Sequence, residues 1–182
     1  YAGMMQYDGD AQIPENYLVS PPAIENTLGN YLCDAQISSF AISETQKFGH
    51  VTYFWNGNNS GYIDEKFEKY VEVPSDNVTF DKRPWMKAAE ITDETIKAIE
   101  SKKYNFIRLN YANGDMVGHT GNPEAIRIAM ESVDLCLGRL LKAVEKAGGI
   151  AVVTADHGNA DCMWKEKGGK RTPMVAHTLN PV

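Results

Sequence analysis

The sequence predicts an α/β fold, a three-layer αβα sandwich in which helices cover both faces of a mainly parallel sheet. Two observations predict it. Residues 150–154 (IAVVT) form a run without polar alternation, which is typical of a strand buried on both faces. Upstream, a strand-like run, a loop and a long amphipathic pattern follow one another from residue 106 to residue 149. Together with residues 150–154 this is the order of a right-handed βαβ crossover with parallel strands.

The bulk composition limits the classes of protein. A chain of 182 residues with 43% hydrophobic content predicts one globular domain with a sizeable core. The formal net charge of −6 argues against a general nucleic-acid or anionic-membrane surface, although a local cation can still hold a phosphorylated substrate. Three widely spaced cysteines form no CxxC pair, which favours a reduced, cytoplasmic setting. Neither a membrane-spanning run nor a signal peptide is visible.

The first third of the chain is predicted to hold short elements. Residues 1–22 are aromatic, turn-rich and proline-terminated, which indicates an extended segment without a strand in its first 15 residues. Residues 23–35 predict a short helix. Residues 39–42 predict a strand that leads into a polar loop over 43–50. The β-branched and aromatic content of residues 51–55 predicts a further strand.

The rest of the chain is predicted to alternate strands and helices. Asn122 is a helix N-cap with Pro123 at the first helical position, and Gly148 and Gly149 end the same helix. The predicted elements are a strand at 70–74, a helix at 84–102, a strand at 106–110, the helix that starts at Pro123, a strand at 150–154 and a solvated hairpin tip at 165–171.

Carboxylates and imidazoles follow the predicted strands. In open α/β sheets the chemistry lies at the carboxyl ends of the strands. Asp156 and His157 follow residues 150–154 after a single alanine, Asp115 and His119 share a glycine-bearing loop after residues 106–110, and His177 lies in a later loop. Each residue alone is more often a capping or packing group. The five together form a mixed nitrogen and oxygen set that suits Zn, Mn or Co.

Five ligands are too many for one tetrahedral ion with an open position and too few for two complete ions. The sequence therefore predicts a two-metal site that lacks one or two ligands, of the kind that clamps an in-line phosphoryl displacement. Lys47 is a candidate phosphate contact beside Glu44, although a lysine in a polar loop is usually solvated. His50 is interpreted as a buried structural histidine. Asn113, Thr154 and Asn159 are candidate partners that would fix the tautomers of the ligand histidines.

Four segments carry a family resemblance: SETQKFGHVTYFWNG, NYANGDMVGHTG, VVTADHGNAD and AHTLNPV. They resemble the cofactor-independent (2,3-bisphosphoglycerate-independent) phosphoglycerate mutases of the alkaline phosphatase superfamily, and the first resembles the longer plant and kinetoplastid branch. The resemblance implies interconversion of 3-phosphoglycerate and 2-phosphoglycerate through a phosphoserine enzyme. It also implies two divalent ions, commonly manganese and in some members cobalt or magnesium. By position it makes Asp115, His119 and His177 ligands of one ion, Asp156 and His157 ligands of the other, and Lys47 a contact of the substrate phosphate.

Two parts of the family pattern find no match in this sequence. They are the strand that bears the nucleophilic serine with a further aspartate ligand, and the inserted transferase domain with its phosphoglycerate-binding arginines. The resemblance therefore implies an incomplete alkaline-phosphatase-like fold. Residues 1–22 would be the end of an interdomain linker, and residues 23–182 the C-terminal part of the metal-binding phosphatase domain.

This chain alone is then expected to have no mutase activity. It is expected to retain an ion at Asp115, His119 and His177 more readily than an ion at Asp156 and His157. The expected partner is a small phosphoglycerate, without nucleic acid or membrane, in a monomeric cytoplasmic parent. Two alternatives stay open. One is another phosphotransferase or hydrolase of the superfamily, such as a phosphopentomutase, and the other is a non-catalytic metal-binding fragment.

Overall fold

The computed structural model describes residues 2–6, 13–20, 22 and 24–182. Within these ranges, no helix is long and apolar enough to cross a membrane. The helices are α1 (Leu28–Asp34), α2 (Phe48–Val51), α3 (Ala88–Glu100), α4 (Asn113–Gly118) and α5 (Pro123–Lys146). The strands are β1 (Gly3–Met5), β2 (Tyr17–Val19), β3 (Ser39–Glu44), β4 (Glu68–Val73), β5 (Phe106–Leu109), β6 (Trp164–Lys167) and β7 (Lys170–Pro173).

The central sheet has three parallel strands in the order β4-β3-β5. All six residues of β3 are buried, because a strand lies on each side of it and a layer covers each of its faces. Ser39 lies opposite both Glu68 and Phe106, so the three strands begin level, and because they are parallel their carboxyl ends point to the same edge of the sheet. The predicted α/β fold with a parallel sheet is thus confirmed.

One face of the sheet carries the apolar core. Phe40 and Ile42 project from β3 against Ile91 and Ala98 of α3, and all four side chains are buried. Burial of an isoleucine such as Ile91 contributes about 1.5–3 kcal/mol. Helix α5 packs on α3 and on α4, and a second apolar cluster joins α4 to α5. This layer fixes α4 directly after the end of β5.

The opposite face of the sheet is more polar. Arg108 of β5 is buried, donates from Nε to the Val51 carbonyl oxygen at 2.8 Å, and stacks over the rings of Trp55 and Tyr70. The predicted strand at 51–55 is therefore wrong, because these residues end α2 and turn back to pack around the guanidinium. The predicted polar loop at 43–50 is also wrong. There β3 extends to Glu44 and a 3-10 turn over Thr45–Lys47 leads into α2.

Local signals placed several other elements well. In α5 the Asn122 side chain accepts the backbone N–H groups of Glu124 and Ala125, as predicted, and Gly148 takes up φ of +71° just beyond the helix. Strands β6 and β7 form the predicted hairpin, which turns at Gly168 and Gly169 with positive φ angles. The strand predicted at 70–74 is β4, and the helix predicted at 84–102 is α3, which begins later than expected.

Two expectations about extended segments are wrong. Within the described part of residues 1–22, β1 and β2 pair as a small parallel sheet, although no strand was expected in the first 15 residues. Residues 150–154 form no strand, and Ile150 and Val152 are 93% and 87% exposed. A segment forms a β-strand only when its backbone is hydrogen-bonded to a neighbouring strand, and no strand within the described ranges lies beside this segment. The predicted βαβ crossover therefore lacks its second strand there.

Candidate metal centre

Asp115 and His119 are brought together by α4, which starts four residues after β5 at the carboxyl edge of the sheet. Residues four apart lie on one face of a helix, so both side chains point the same way. Val117, between them, is completely buried in the apolar cluster and anchors the opposite face of α4. The short helix thus presents one carboxylate and one imidazole from a fixed support.

His177 reaches the same place from the last segment of the chain. Thr178 forms an isolated antiparallel bridge with Gly158, and its backbone N–H donates to the Gly158 carbonyl oxygen at 2.9 Å. The Val175 carbonyl oxygen accepts a hydrogen bond from His119 Nδ1 at 2.8 Å. The segment that carries His177 is therefore tied both to the loop after residue 155 and to the end of α4.

The donor atoms of Asp115, His119 and His177 form a compact triangle. Asp115 Oδ1 lies 3.0 Å from His119 Nε2 and 3.0 Å from His177 Nε2, and the two Nε2 atoms are 3.1 Å apart. Metal–ligand bonds of about 2.0–2.2 Å give ligand–ligand separations of roughly 3 Å. The triangle therefore fits three ligands on one face of a small divalent ion.

The tautomer of His119 gives an independent test of this fit. A carbonyl oxygen only accepts, so Nδ1 must carry the proton that it donates to Val175. In the neutral ring Nε2 then bears a lone pair, and that lone pair faces the carboxylate oxygen of Asp115. Two acceptors in contact need a cation or a proton between them. A backbone carbonyl that fixes the ring in this way is the usual support of a metal-bound histidine.

Asp115 is held as a carboxylate. Burial raises the pKa of this carboxyl, but hydrogen bonds from Lys47 and Asn159, and then the charges of Lys47 and His119, outweigh that effect. The net result is a pKa well below the usual range of aspartate. The side chain is therefore ionised and ready to act as an oxygen ligand at neutral pH.

Lys47 lies between the two predicted ligand sets. Its Nζ is 2.6 Å from Asp115 Oδ2 and 3.9 Å from Asp156 Oδ2, and only 5% of the residue is exposed. Lys47 is therefore buried at the site, whereas a lysine in a polar loop is usually solvated. His157 Nε2 lies 3.6 Å from Asp156 Oδ2, and its ring stacks on His177 with centroids 3.6 Å apart. The structure thus brings all five predicted ligands and Lys47 into one cluster.

The other predicted site residues have different outcomes. His50 is half-buried and packs edge-on against Phe54, and burial, then the charge of Lys47, lowers its pKa. Asn113 donates to two backbone carbonyls away from the cluster, and Thr154 to the Ala155 carbonyl oxygen. Among the three candidate partners, Asn159 alone contacts a predicted ligand. That ligand is the carboxylate of Asp115 rather than a histidine.

Sequence reasoning missed Asp161. Its carboxylate accepts hydrogen bonds from Thr178 Oγ1 at 3.0 Å and from Asn180 Nδ2 at 2.6 Å, and these donors belong to the first and third residues after His177. These partners are 17 and 19 residues away from Asp161. No local pattern signals a contact at that separation, so only the folded structure shows it.

Comparison with known proteins defines the class to which this fold and centre belong. The sequence profile of the Metalloenzyme superfamily matches residues 8–182, and the chain belongs to that superfamily. Over its whole length it is also 54% identical to the probable 2,3-bisphosphoglycerate-independent phosphoglycerate mutase of Leptospira interrogans and 52% identical to the corresponding mutase of Trypanosoma brucei brucei. The predicted resemblance is therefore confirmed. The chain covers 35% of each of these two relatives, about a third of their length.

A solved structure agrees with the sequence comparison. The chain superimposes on a protein described as "Crystal structures of Leishmania mexicana phosphoglycerate mutase at low cobalt concentration" with a TM-score of 0.94 and 50% identity. The match covers 100% of this chain and 35% of that one. A plant relative, mutase 1 of Arabidopsis thaliana, is 52% identical over the whole chain. The similarity thus includes both the plant and the kinetoplastid members, as the first motif indicated.

Proposed function

We propose that this chain forms the metal-binding and phosphate-contacting part of a phosphoglycerate mutase that interconverts 3-phosphoglycerate and 2-phosphoglycerate through a phosphoserine. The observation that carries the proposal is the triangle of Asp115, His119 and His177 with Lys47 buried against it. Mutases with this name are 50–54% identical to the whole chain, which narrows the reaction from metal-dependent phosphoryl transfer in general to this isomerisation.

Asp115, His119 and His177 would hold one divalent ion, and Asp156 and His157 would contribute to a second. Ions at these positions would neutralise charge on phosphoryl oxygens and lower the pKa of an attacking hydroxyl. A mixed carboxylate and imidazole set suits manganese or cobalt, and cobalt is named for the similar Leishmania protein. We take Mn²⁺ as the working ion, with Co²⁺ and Mg²⁺ as alternatives.

Lys47 would contact the substrate phosphate. Its ammonium is withdrawn from water, so its charge acts on a phosphoryl oxygen with little screening. The carboxylates of Asp115 and Asp156 hold the ammonium on the inner side of the cluster. His119 Nδ1 donates to the Val175 carbonyl oxygen, so Nε2 is the ring nitrogen that would bind an ion. These residues orient and neutralise, and the family's nucleophilic serine and substrate arginines are expected from other segments.

The domain assignment remains part of this proposal. Residues 1–22 would end an interdomain linker, and residues 23–182 would be the C-terminal part of a phosphatase domain. The share of the relatives that this chain covers supports this division. The three cysteines are free, two of them buried, which suits a reducing compartment, and we place the protein in the cytoplasm.

The proposal is tested in the polypeptide that naturally carries this sequence. With Mn²⁺ it should convert 3-phosphoglycerate to 2-phosphoglycerate, and Asp115→Asn should lower the rate by about 1,000-fold, because a metal ligand and the partner of Lys47 are lost together. Asp93→Asn, which removes an exposed carboxylate paired with Arg139, is the matched control and should retain the rate. A wild-type rate no higher than that of Asp115→Asn would refute the mutase assignment.

A further inference from the structure

The loop that follows His157 contacts one ligand of the other predicted ion and the segment that carries a second one. We define the 158–162 turn as residues Gly158 to Cys162, closed by the Cys162 N–H donating to the Asn159 carbonyl oxygen at 3.1 Å. The turn contains none of the residues of the Asp115, His119 and His177 triangle. One of its side chains nevertheless contacts a residue of that triangle, and another contacts the segment that carries His177.

Asn159 donates hydrogen bonds to Asp115. Its Nδ2 donates to Asp115 Oδ1 at 2.9 Å and to the Asp115 backbone oxygen at 3.2 Å, and the residue is only 5% exposed. The oxygen that it holds is the one that faces both Nε2 atoms, whereas Lys47 holds the other carboxylate oxygen. Gly118 makes room for the amide, since a Cβ there would lie 2.4 Å from Asn159 Oδ1.

Asp161 holds the segment of His177. It accepts hydrogen bonds from the side chains of Thr178 and Asn180, beside the backbone bridge between Thr178 and Gly158. Gly158 permits this contact, because a Cβ at that position would lie 2.1 Å from Thr178 Oγ1. The turn therefore fixes Asp115, from α4, relative to His177, which is 62 residues further along the chain.

From this geometry we infer that Asn159 and Asp161 are positioning residues that set the affinity of the Asp115, His119 and His177 triangle for a divalent ion. The inference rests on the proposed metal centre. Asn159 orients Asp115 Oδ1 so that its lone pairs face the two Nε2 atoms. Asp161 fixes the position of the segment that carries His177, and thereby the distance of His177 from the other two ligands. The loop of one predicted ion thereby organises the ligands of the other.

Mn²⁺ alone is the probe, titrated into the metal-free chain and followed by the electron paramagnetic resonance signal of the free ion. Asn159→Ala and Thr178→Val should each weaken Mn²⁺ binding by about 10- to 100-fold, the usual effect of losing a group that orients a metal ligand. Thr178→Val keeps the side-chain shape and removes only the hydroxyl that donates to Asp161, so its result stands even if Asn159→Ala folds poorly.

Two matched controls separate positioning from general stability. Asn113→Ala removes an equally buried amide of α4 that donates to the Pro84 and Trp85 carbonyls, and Thr172→Val alters a half-buried threonine of β7. Both should leave the Mn²⁺ affinity within a few-fold of wild type, whatever they do to the thermal midpoint of the metal-free chain. Wild-type affinity in both Asn159→Ala and Thr178→Val would overturn the inference. A wild-type chain that binds no Mn²⁺ would instead overturn the metal centre itself.

Discussion

At the scale of single residues, Lys47 and Glu44 show what burial does to charged groups at the edge of a parallel sheet. Lys47 is 5% exposed and Glu44 is 1% exposed, and they lie at the two ends of one 3-10 turn. Each is balanced by named partners, Lys47 by the carboxylate of Asp115 and Glu44 by donors from Ser75 and Lys87. The identity of these residues could be taken from the sequence, but their burial depends on segments that are distant in the chain.

The Lys47 and Asp115 pair should contribute strongly to the stability of the metal-free chain. Removal of one partner leaves a buried charge uncompensated, so Lys47→Met should lower the free energy of unfolding by about 3 kcal/mol in the presence of a chelator. Added Mn²⁺ should reduce that loss, because the ion would neutralise the same carboxylates. Urea unfolding with and without Mn²⁺ measures both effects.

Lys97→Met is the matched control for this substitution. Its Nζ lies 2.7 Å from Glu94, a distance similar to that of the buried pair, but both side chains are exposed to solvent. An exposed pair is screened by water and should matter little. Equal losses in Lys47→Met and Lys97→Met would show that the burial of Lys47 has no energetic consequence.

Glu44 should make the stability of the chain depend on pH. Burial raises the pKa of its carboxyl, and hydrogen bonds from Ser75 and Lys87 offset this effect only in part. A raised pKa means that the folded chain binds the proton more tightly than the unfolded chain. The contribution of Glu44 is therefore complete below the ordinary glutamate range and is lost as the pH rises through the raised pKa.

Glu44→Gln cannot titrate, so it should gain stability relative to wild type as the pH rises from about 4 to 7, by at most about 1.4 kcal/mol per pH unit. Its amide can still accept from the Lys87 N–H and donate to the Ser75 hydroxyl. Urea unfolding at several pH values in chelator measures the difference, and Glu65→Gln, at an exposed carboxylate, controls for loss of charge. A difference between Glu44→Gln and wild type that stays constant with pH would contradict the assignment.

At the scale of elements, the success of prediction depended on where the decisive partner lies. Helix α5 has its cap, its proline and its final glycines within its own segment, and it was predicted almost to the residue. Residues 51–55 have strand-like composition, but Arg108, 57 residues away from Val51, holds them as a turn. The ligand types of the centre could be predicted because their motifs lie within single segments. The contacts of Asp161 could not be predicted, because its partners are distant in the chain.

The N-cap of α5 should carry a measurable share of stability. Asn122 Oδ1 accepts the N–H groups of Glu124 and Ala125 at 3.2 and 3.3 Å, which would otherwise lack partners within the helix. Asn122→Ala should lower the free energy of unfolding by about 1 kcal/mol in a urea titration. Asn105→Ala, at an exposed asparagine that caps none of the helices, should leave it nearly unchanged. If the two variants were equally stable, the capping bonds would contribute nothing.

At the scale of the whole molecule, the three-stranded sheet leaves apolar sequence outside the core. Ile150, Val152 and Val153 are 93%, 87% and 64% exposed, although their composition is that of a buried strand. Exposed runs of β-branched residues with unpaired backbone groups are templates for pairing between chains. The segment directly precedes Asp156 and His157, so whatever pairs with it also affects the placement of that predicted ligand pair.

This exposure should control the solution behaviour of the 182-residue chain. We expect the chain to associate at micromolar concentration and to bind a hydrophobic dye, and Val152→Lys should raise the monomer fraction in light scattering, because a charge opposes edge-to-edge pairing. Leu18→Lys, at an exposed apolar residue of β2, adds the same charge elsewhere and should have less effect. If both variants changed association equally, net charge rather than residues 150–154 would govern it. If neither did, the segment would not be an association site.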